Sequence, residues 1–314
     1  MKRTSIGGQA VMEGVMMKNE DQYAVAVRKP NKEIEVKIDH YETITKRYPF
    51  LNIPIVRGVC AFGESLYIGM KTLMFSSEFF EDEEAAEPDH LENFIRKLFG
   101  EKADGVLMGF TLVLSVVLAV AIFMLLPFFL SELLKKVLPS YTVRTLIEGV
   151  IRVSIFLLYV WAISKMEEIR RVFMYHGAEH KTINCLESGD PLTPENVKKH
   201  SRLHKRCGTS FLLIVMIISI ILFLFIRVDT LWLRFLCRLI LIPVVAGISY
   251  EFIRLAGRSN GKLITILSRP GLCLQYLTTK EPDLDMIEVA IASVDSIFDW
   301  RAYQEAMRNG EIED

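Results

Sequence analysis

The chain has 314 residues, 51% of them apolar, with 37 basic against 38 acidic side chains, six histidines and five cysteines. A formal net charge of -1 gives no sign of a nucleic-acid partner, and none is expected; five cysteines without paired spacing argue against a disulfide framework and suit a reducing compartment. The apolar residues are gathered in long blocks rather than spread evenly, which points away from an ordinary soluble domain.

In chain order, "MKRTSIGGQAVMEG" begins with basic residues, but neither a continuous apolar region nor a small-residue cleavage pattern follows, so it is read as retained rather than as a signal peptide. "GGQAVMEGVMM" (Gly7 to Met17) reads as a flexible, methionine-rich stretch with one carboxylate, Glu13. It suits either a substrate-facing loop in which Glu13 lends a further metal ligand or an adaptable contact surface for apolar partners. Tyr23 to Asp39 alternates apolar and polar residues on both sides of Pro30-Asn31, the pattern of two strands around a turn. Pro54 then opens a helix with Ile55, Val59, Phe62, Leu66, Met70, Leu73 and Met74 on one face and Arg57, Glu64 and Lys71 on another. That helix either lies in a membrane interface or covers the hairpin as a core helix. Glu78 to Glu92 reads as a solvated acidic linker with His90 exposed.

Four membrane spans follow. Gly105 to Leu130 carries no charge over more than the roughly 20 residues that cross a bilayer core, and Leu146 to Ile163, Phe211 to Ile226 and Leu231 to Ile253 are the others. Glu148 and Arg152, four apart in the second span, share one face and are read as a structural pair near the outer end, closing with Arg234 or Arg238. Lys and Arg gather before the first span, between the second and third, and after the fourth, so both termini and the segment 165–208 are expected in the cytoplasm. No internal repeat of the two-halved transporter kind is present. The tail offers an extended run, a Pro-Gly turn at Pro270-Gly271 and a capped helix beginning near Asp283, folding back on the N-terminal hairpin.

The expected architecture is a polytopic α-helical membrane protein with a cytoplasmic α+β portion from both terminal segments. Residues 1–104 form an N-terminal region, 105–164 the first two spans, 165–208 a histidine-rich helical hairpin, 209–256 the last two spans and 257–314 a C-terminal region.

The chemistry concentrates in 165–208, which holds four of the six histidines. His176-Gly177-Ala178-Glu179-His180 matches H-x-x-E-H, in which two imidazoles four apart on a helix bind zinc and the glutamate activates a water. Thr193 and Pro194 start a second helix carrying His200 and His204, so an antiparallel hairpin turning near Asp190 stacks four imidazoles in two levels. Cys207 sits just before the third span, where the unpaired donors of a helix N-terminus favour a thiolate. The expected ligands are His176, His180 and His204, with Cys207 as the fourth or alternate; Glu179 is the general base, and zinc or another divalent transition metal is the cofactor. His200 falls outside the matched motif. Three other readings stand beside an open catalytic site: a basic loop on anionic headgroups, core histidines bonded between helices, and a closed structural zinc.

"GGQAVMEGVMM", "IVRGV" (Ile55 to Val59), "YHGAEHK" (Tyr175 to Lys181) and "HKRCGTSF" (His204 to Phe211) together resemble the YqhQ family of bacterial multipass membrane proteins, a domain of unknown function often labelled a predicted metal-dependent enzyme. The resemblance covers essentially the whole chain and implies a bacterial inner-membrane protein. Two functions remain in view. One is a metal-dependent hydrolase at the cytoplasmic face, in contact with membrane lipids; the other is a non-enzymatic scaffold or assembly factor that binds a membrane-protein or translocation partner.

Overall fold

The computed structural model describes residues 4–80, 103–228, 230–258 and 261–311. Most of the acidic run, with His90, and the basic residues expected ahead of the first span lie outside the described residues.

The N-terminal segment forms an antiparallel meander of β1 (Gly7–Val11), β2 (Gly14–Asn19), β3 (Gln22–Arg28) and β4 (Ile34–His40), in the order β1-β2-β3-β4. β3 and β4 are the hairpin expected around Pro30-Asn31. The stretch read as a flexible loop is instead the β1–β2 hairpin, in register from Gly7↔Lys18 to Val11↔Gly14. Its alternation was masked because both faces of the strands are apolar. Val15 and Met17 join one buried cluster while Val11 and Met16 join another, so the sheet is covered on both sides. Glu13 occupies the tight turn at φ 47. Its carboxylate takes two hydrogen bonds of 2.5 Å from Arg171, so it is a turn anchor, not a metal ligand.

Thirteen helices follow among the described residues. They are α1 (Ile44–Arg47), α2 (Val56–Ser77), α3 (Ala103–Val120), α4 (Leu126–Leu133), α5 (Tyr141–Ile163), α6 (Glu167–Ser188), α7 (Pro194–Lys199), α8 (Gly208–Phe225), α9 (Leu231–Ile240), α10 (Ile242–Arg258), α11 (Lys262–Thr278), α12 (Leu284–Asp295) and α13 (Trp300–Arg308). Four stretches are long and apolar enough to cross a membrane: Gly109–Lys136, Tyr141–Ile163, Gly208–Phe225 and Trp232–Ala256. They coincide with the four expected blocks and suggest membrane association. A π turn at Ala121–Leu125 joins α3 to α4 just ahead of Pro127, whose missing N–H breaks the regular ladder. Several charges in these stretches pair with one another. Glu148 receives Arg152 at 2.8 Å and also Arg238, while Arg234 pairs with Glu132 at 2.9 Å.

α6 and α12 pack on one face of the sheet, where Ala24 and Ala26 leave room for close approach and Ile183, Ile287 and Ala290 fill it. Ser293 of α12 bridges β2 and β3, accepting from Met17 N at 3.1 Å and donating to Ala24 O at 3.0 Å. The tail thus shares a core with the N-terminal strands, as expected. It does so through α12; α11, which leads to it, continues as a helix across Pro270 where an extended run and a turn were expected. α12 begins after Asp283, although that side chain makes no capping bond.

α2 covers the opposite face of the sheet with its polar side. Glu64, Thr72 and Ser76 are buried with Ile68, whereas Phe62, Leu66, Met70, Leu73 and Met74 are exposed. Its N-terminal turns cross α10 so closely that a Cβ on Gly58 would lie 2.9 Å from Gly247 Cα. The helix therefore covers the sheet, one of the two expectations held open for it, and presents an apolar stripe outward beside the membrane-length helices.

Candidate metal centre

α6 is the axis of the site, buried from Tyr175 through Glu187 between β1, α7, α12 and the start of α8. It is a separate helix from α5, with a break at Ser164 to Met166, and ends at Gly189, whose φ of 81 closes the last turn. A Cβ on Gly177 would lie 2.0 Å from Lys280 O, so only glycine admits the chain between α11 and α12 at this point.

His176 and His180 stand one turn apart with ring centroids 4.4 Å from each other. His176 Nδ1 lies 2.8 Å from Thr278 O, and His180 Nδ1 lies 2.6 Å from Arg202 O. A carbonyl only accepts, so both Nδ1 atoms carry the proton and both Nε2 atoms present lone pairs, the arrangement in which imidazole ligates a metal with its outer nitrogen held by the protein. His180 Nε2 is buried and has no hydrogen-bond partner among the described residues. Cys207 caps α8, its Sγ receiving Thr209 N–H at 3.3 Å, and lies 3.3 Å from His176 Nε2. One donor atom from each of His176, His180 and Cys207 falls within 4.8 Å of the other two. Ligands of a tetrahedral zinc with bonds of about 2.0 to 2.3 Å stand about 3.6 Å apart, so this donor set fits a metal ion with little adjustment.

Glu179 completes the group. Its Oε2 is 4.0 Å from His176 Nε2 and is buried without a partner among the described residues. The Gly8 amide of β1 lies close to the carboxylate. Burial pushes the Glu179 carboxyl up to about 7, against the opposing pull of His176 and of that amide. Sequence reasoning missed Gly8: a Cβ there would sit 2.8 Å from Glu179 Cγ, and the paired glycines opening a strand are the signal for such close backbone approach.

The other two histidines part company. α7 ends at Lys199 and His200 turns extended, so His200 and His204 do not share a helix and the four-imidazole stack does not form. Thr193 does cap α7, accepting from Asn196 N at 3.3 Å, but the helix is too short to carry either histidine inward. His200 pairs with Asp190 at 2.9 Å, away from the site. His204 stays close, its ring 5.7 Å from that of His180, and its Nε2 lies 3.9 Å from Glu187 Oε2. Burial lowers the pKa of His204, with the nearby Glu187 carboxylate opposing. Gln275 clamps its backbone, donating to His204 O and accepting from His204 N, both at 2.8 Å.

A cavity of about 940 Å³ opens onto His176, Glu179 and Cys207 and extends past β1 to α2 and α10. Residues 53–300 match the family described as protein of unknown function, DUF1385. The chain belongs to the DUF1385 family. It is also 39% identical, over 308 residues covering 95% of this chain and 94% of the relative, to the protein titled "Uncharacterized protein YqhQ" of Bacillus subtilis (strain 168). No solved structure matches. The DUF1385 match spans the whole of α6 and Cys207, so the histidine motif and the thiol lie inside the family region.

Proposed function

We propose that the chain is a polytopic bacterial inner-membrane protein that holds a divalent transition metal, zinc by the chemistry of its donors, and hydrolyses a substrate at the cytoplasmic face. The observation that carries the reading is the pair of Nε2 lone pairs fixed by Thr278 O and Arg202 O beside Cys207 Sγ. Core histidines without a metal are expected to spend both nitrogens on partners, and His180 does not. Two imidazoles and a thiolate leave a tetrahedral ion one position short of closure, which supports a working site over a structural one. His204 stands beside this set and Glu187 holds it there.

Bound there, the metal would supply a Lewis acid that polarises the bond to be broken. The chain's own part is proton transfer. Hydrolysis adds one water across the bond: the water oxygen joins the electrophilic carbon, Glu179 Oε2 accepts a proton, and the same carboxyl returns it to the departing atom. The Gly8 amide stands beside the carboxylate for that exchange.

Purified wild-type protein supplied with zinc is expected to hold on the order of one equivalent per chain. His180→Ala and Cys207→Ala should lose most of it and His200→Ala should keep it. Full metal content in the first two variants would remove this donor set from consideration.

The distribution of Lys and Arg supports placing 165–208 and both termini in the cytoplasm. One new cysteine at Glu195 or at Val137, in a chain with Cys60, Cys237 and Cys273 replaced by serine and the buried Cys185 and Cys207 kept, tests it with an impermeant maleimide on intact cells. Val137→Cys should label at once and Glu195→Cys only after lysis; the opposite order inverts the topology.

A further inference from the structure

The edge of the sheet forms one wall of the cavity that holds the metal ligands. β1 pairs with β2 alone among the described residues, so no strand occupies its other edge, and α6 packs against it around Glu179. The two-residue turn makes Val11↔Gly14 the hydrogen-bonded closing pair, and bonding alternates along an antiparallel ladder. Gly8↔Met17 and Ala10↔Val15 are therefore non-bonded pairs, and the N–H and C=O of Gly8 and Ala10 point away from β2. The bond from Arg28 N to Glu13 O at 2.8 Å sets the same alternation on β2, turning Gly14, Met16 and Lys18 toward β1. No hydrogen bond engages Ala10 N–H, Ala10 C=O or Gly8 C=O among the described residues.

Exposed sheet edges are ordinarily blunted by lysine, proline or a covering helix. "GGQA", Gly7 to Ala10, has none of the side-chain defences, and these four residues line the cavity beside His176 and Glu179. Nothing lies within 4 Å of a Cβ placed on Gly7, whereas one on Gly8 would meet Glu179 Cγ at 2.8 Å, so the strand is open at its start and meets the carboxylate one residue later. A row of alternating donors and acceptors at strand spacing is complemented by an extended polypeptide, whereas an acyl chain offers no partner for it.

We propose that the substrate of the metal centre is an extended polypeptide segment that adds to β1 as a fifth strand, hydrogen-bonded to Ala10 and to the Gly8 carbonyl and carried past Glu179. This rests on the metal-site reading given above. It assigns β1 the task of aligning the chain to be cut, and the ends of α8 and α10 at the same cavity place that strand where a segment leaving a bilayer would arrive.

The test uses full-length, zinc-loaded protein in detergent micelles and three probes: acetohydroxamate, N-acetyl-leucyl-leucyl-hydroxamate and lauroyl hydroxamate. All three carry the same chelating group, so acetohydroxamate reports the centre by itself. The peptide hydroxamate is expected to bind at least about tenfold more tightly than acetohydroxamate. That gain should vanish in Ala10→Pro, which removes the outward N–H while leaving the bonds to β2 in place. Backbone N-methylation of the peptide should abolish the gain against unaltered protein, which keeps the test decisive if Ala10→Pro does not fold. Slowed exchange of the Ala10 amide in the peptide complex is the accompanying readout. A peptide gain that is absent, or that survives both N-methylation and Ala10→Pro, overturns the strand proposal and leaves the metal site standing. Equal gain by lauroyl hydroxamate in wild type and Ala10→Pro overturns it in favour of an acyl substrate. Failure of acetohydroxamate to bind wild type overturns the metal-site reading and the inference with it.

Discussion

Glu148→Ala is expected to be the most destabilising single change among the membrane-length helices, by about 3–5 kcal/mol, because it leaves two buried guanidinium groups with no anion. Glu148 is 3% exposed, Arg152 6% and Arg238 2%, so water cannot replace the lost carboxylate. Arg152 also donates to Ser219 Oγ at 3.0 Å, and both arginines lie near the Phe223 ring, at 5.3 and 4.9 Å from its centroid. Those contacts soften the loss without cancelling the charge. Arg152→Leu is the informative companion. It leaves a neutral Glu148–Arg238 pair, so its cost should be much smaller. Thermal unfolding of micelle-bound protein, with the yield of folded protein from cells, reads both variants. If Glu148→Ala matched wild type, or if Arg152→Leu proved the more damaging, the cluster would not be the anchor that its burial implies.

How far the sequence could be read depended on what each signal averaged over. The four membrane-length apolar helices were legible because some twenty apolar residues in a row need no knowledge of neighbours, and Glu148 with Arg152 was legible because four residues on a helix is a fixed geometry. The β1–β2 hairpin was not, since a strand buried on both faces loses the alternation that marks one. α2 was misleading for a related reason. Its apolar stripe was correctly located but does not face the sheet; Glu64 and Thr72 do, and Glu64 Oε1 accepts from the Ile44 amide. In a chain with membrane-length apolar helices, an apolar stripe need not face the core. At the site, His176 and His180 followed from their spacing alone. His200 and His204 required the length of α7, which a cap at Thr193 starts but no pattern terminates. The carbonyls of Thr278 and Arg202 and the amide of Gly8 belong to the backbone of segments far away in sequence, and no side-chain motif could announce them.

Glu179→Gln is expected to reduce cellular function by about 10²–10⁴-fold, the contribution typical of a positioned proton acceptor, while protein level and metal content remain those of wild type. The amide keeps the size of the carboxylate and fits beside the same Gly8 N–H, so the strand and helix need not move. What it loses is the ability of Oε2 to take a proton, in a place where that atom has no other described partner to serve. His176→Ala acts differently. It removes one Nε2 donor and also abandons Thr278 O, so metal content falls with function, and the amount of folded protein reports whether the ion is structural. Complementation of a deletion strain, with immunoblot and metal content measured on the same cultures, separates the outcomes without knowledge of the substrate. Loss of function with normal metal in Glu179→Gln fits only a chemical role for the carboxylate. Full function in Glu179→Gln together with loss of folded protein in His176→Ala would end the hydrolase reading. The centre would then be a structural clasp joining α6 to the start of α8, and the chain would be a membrane scaffold or assembly factor for a membrane-protein or translocation partner.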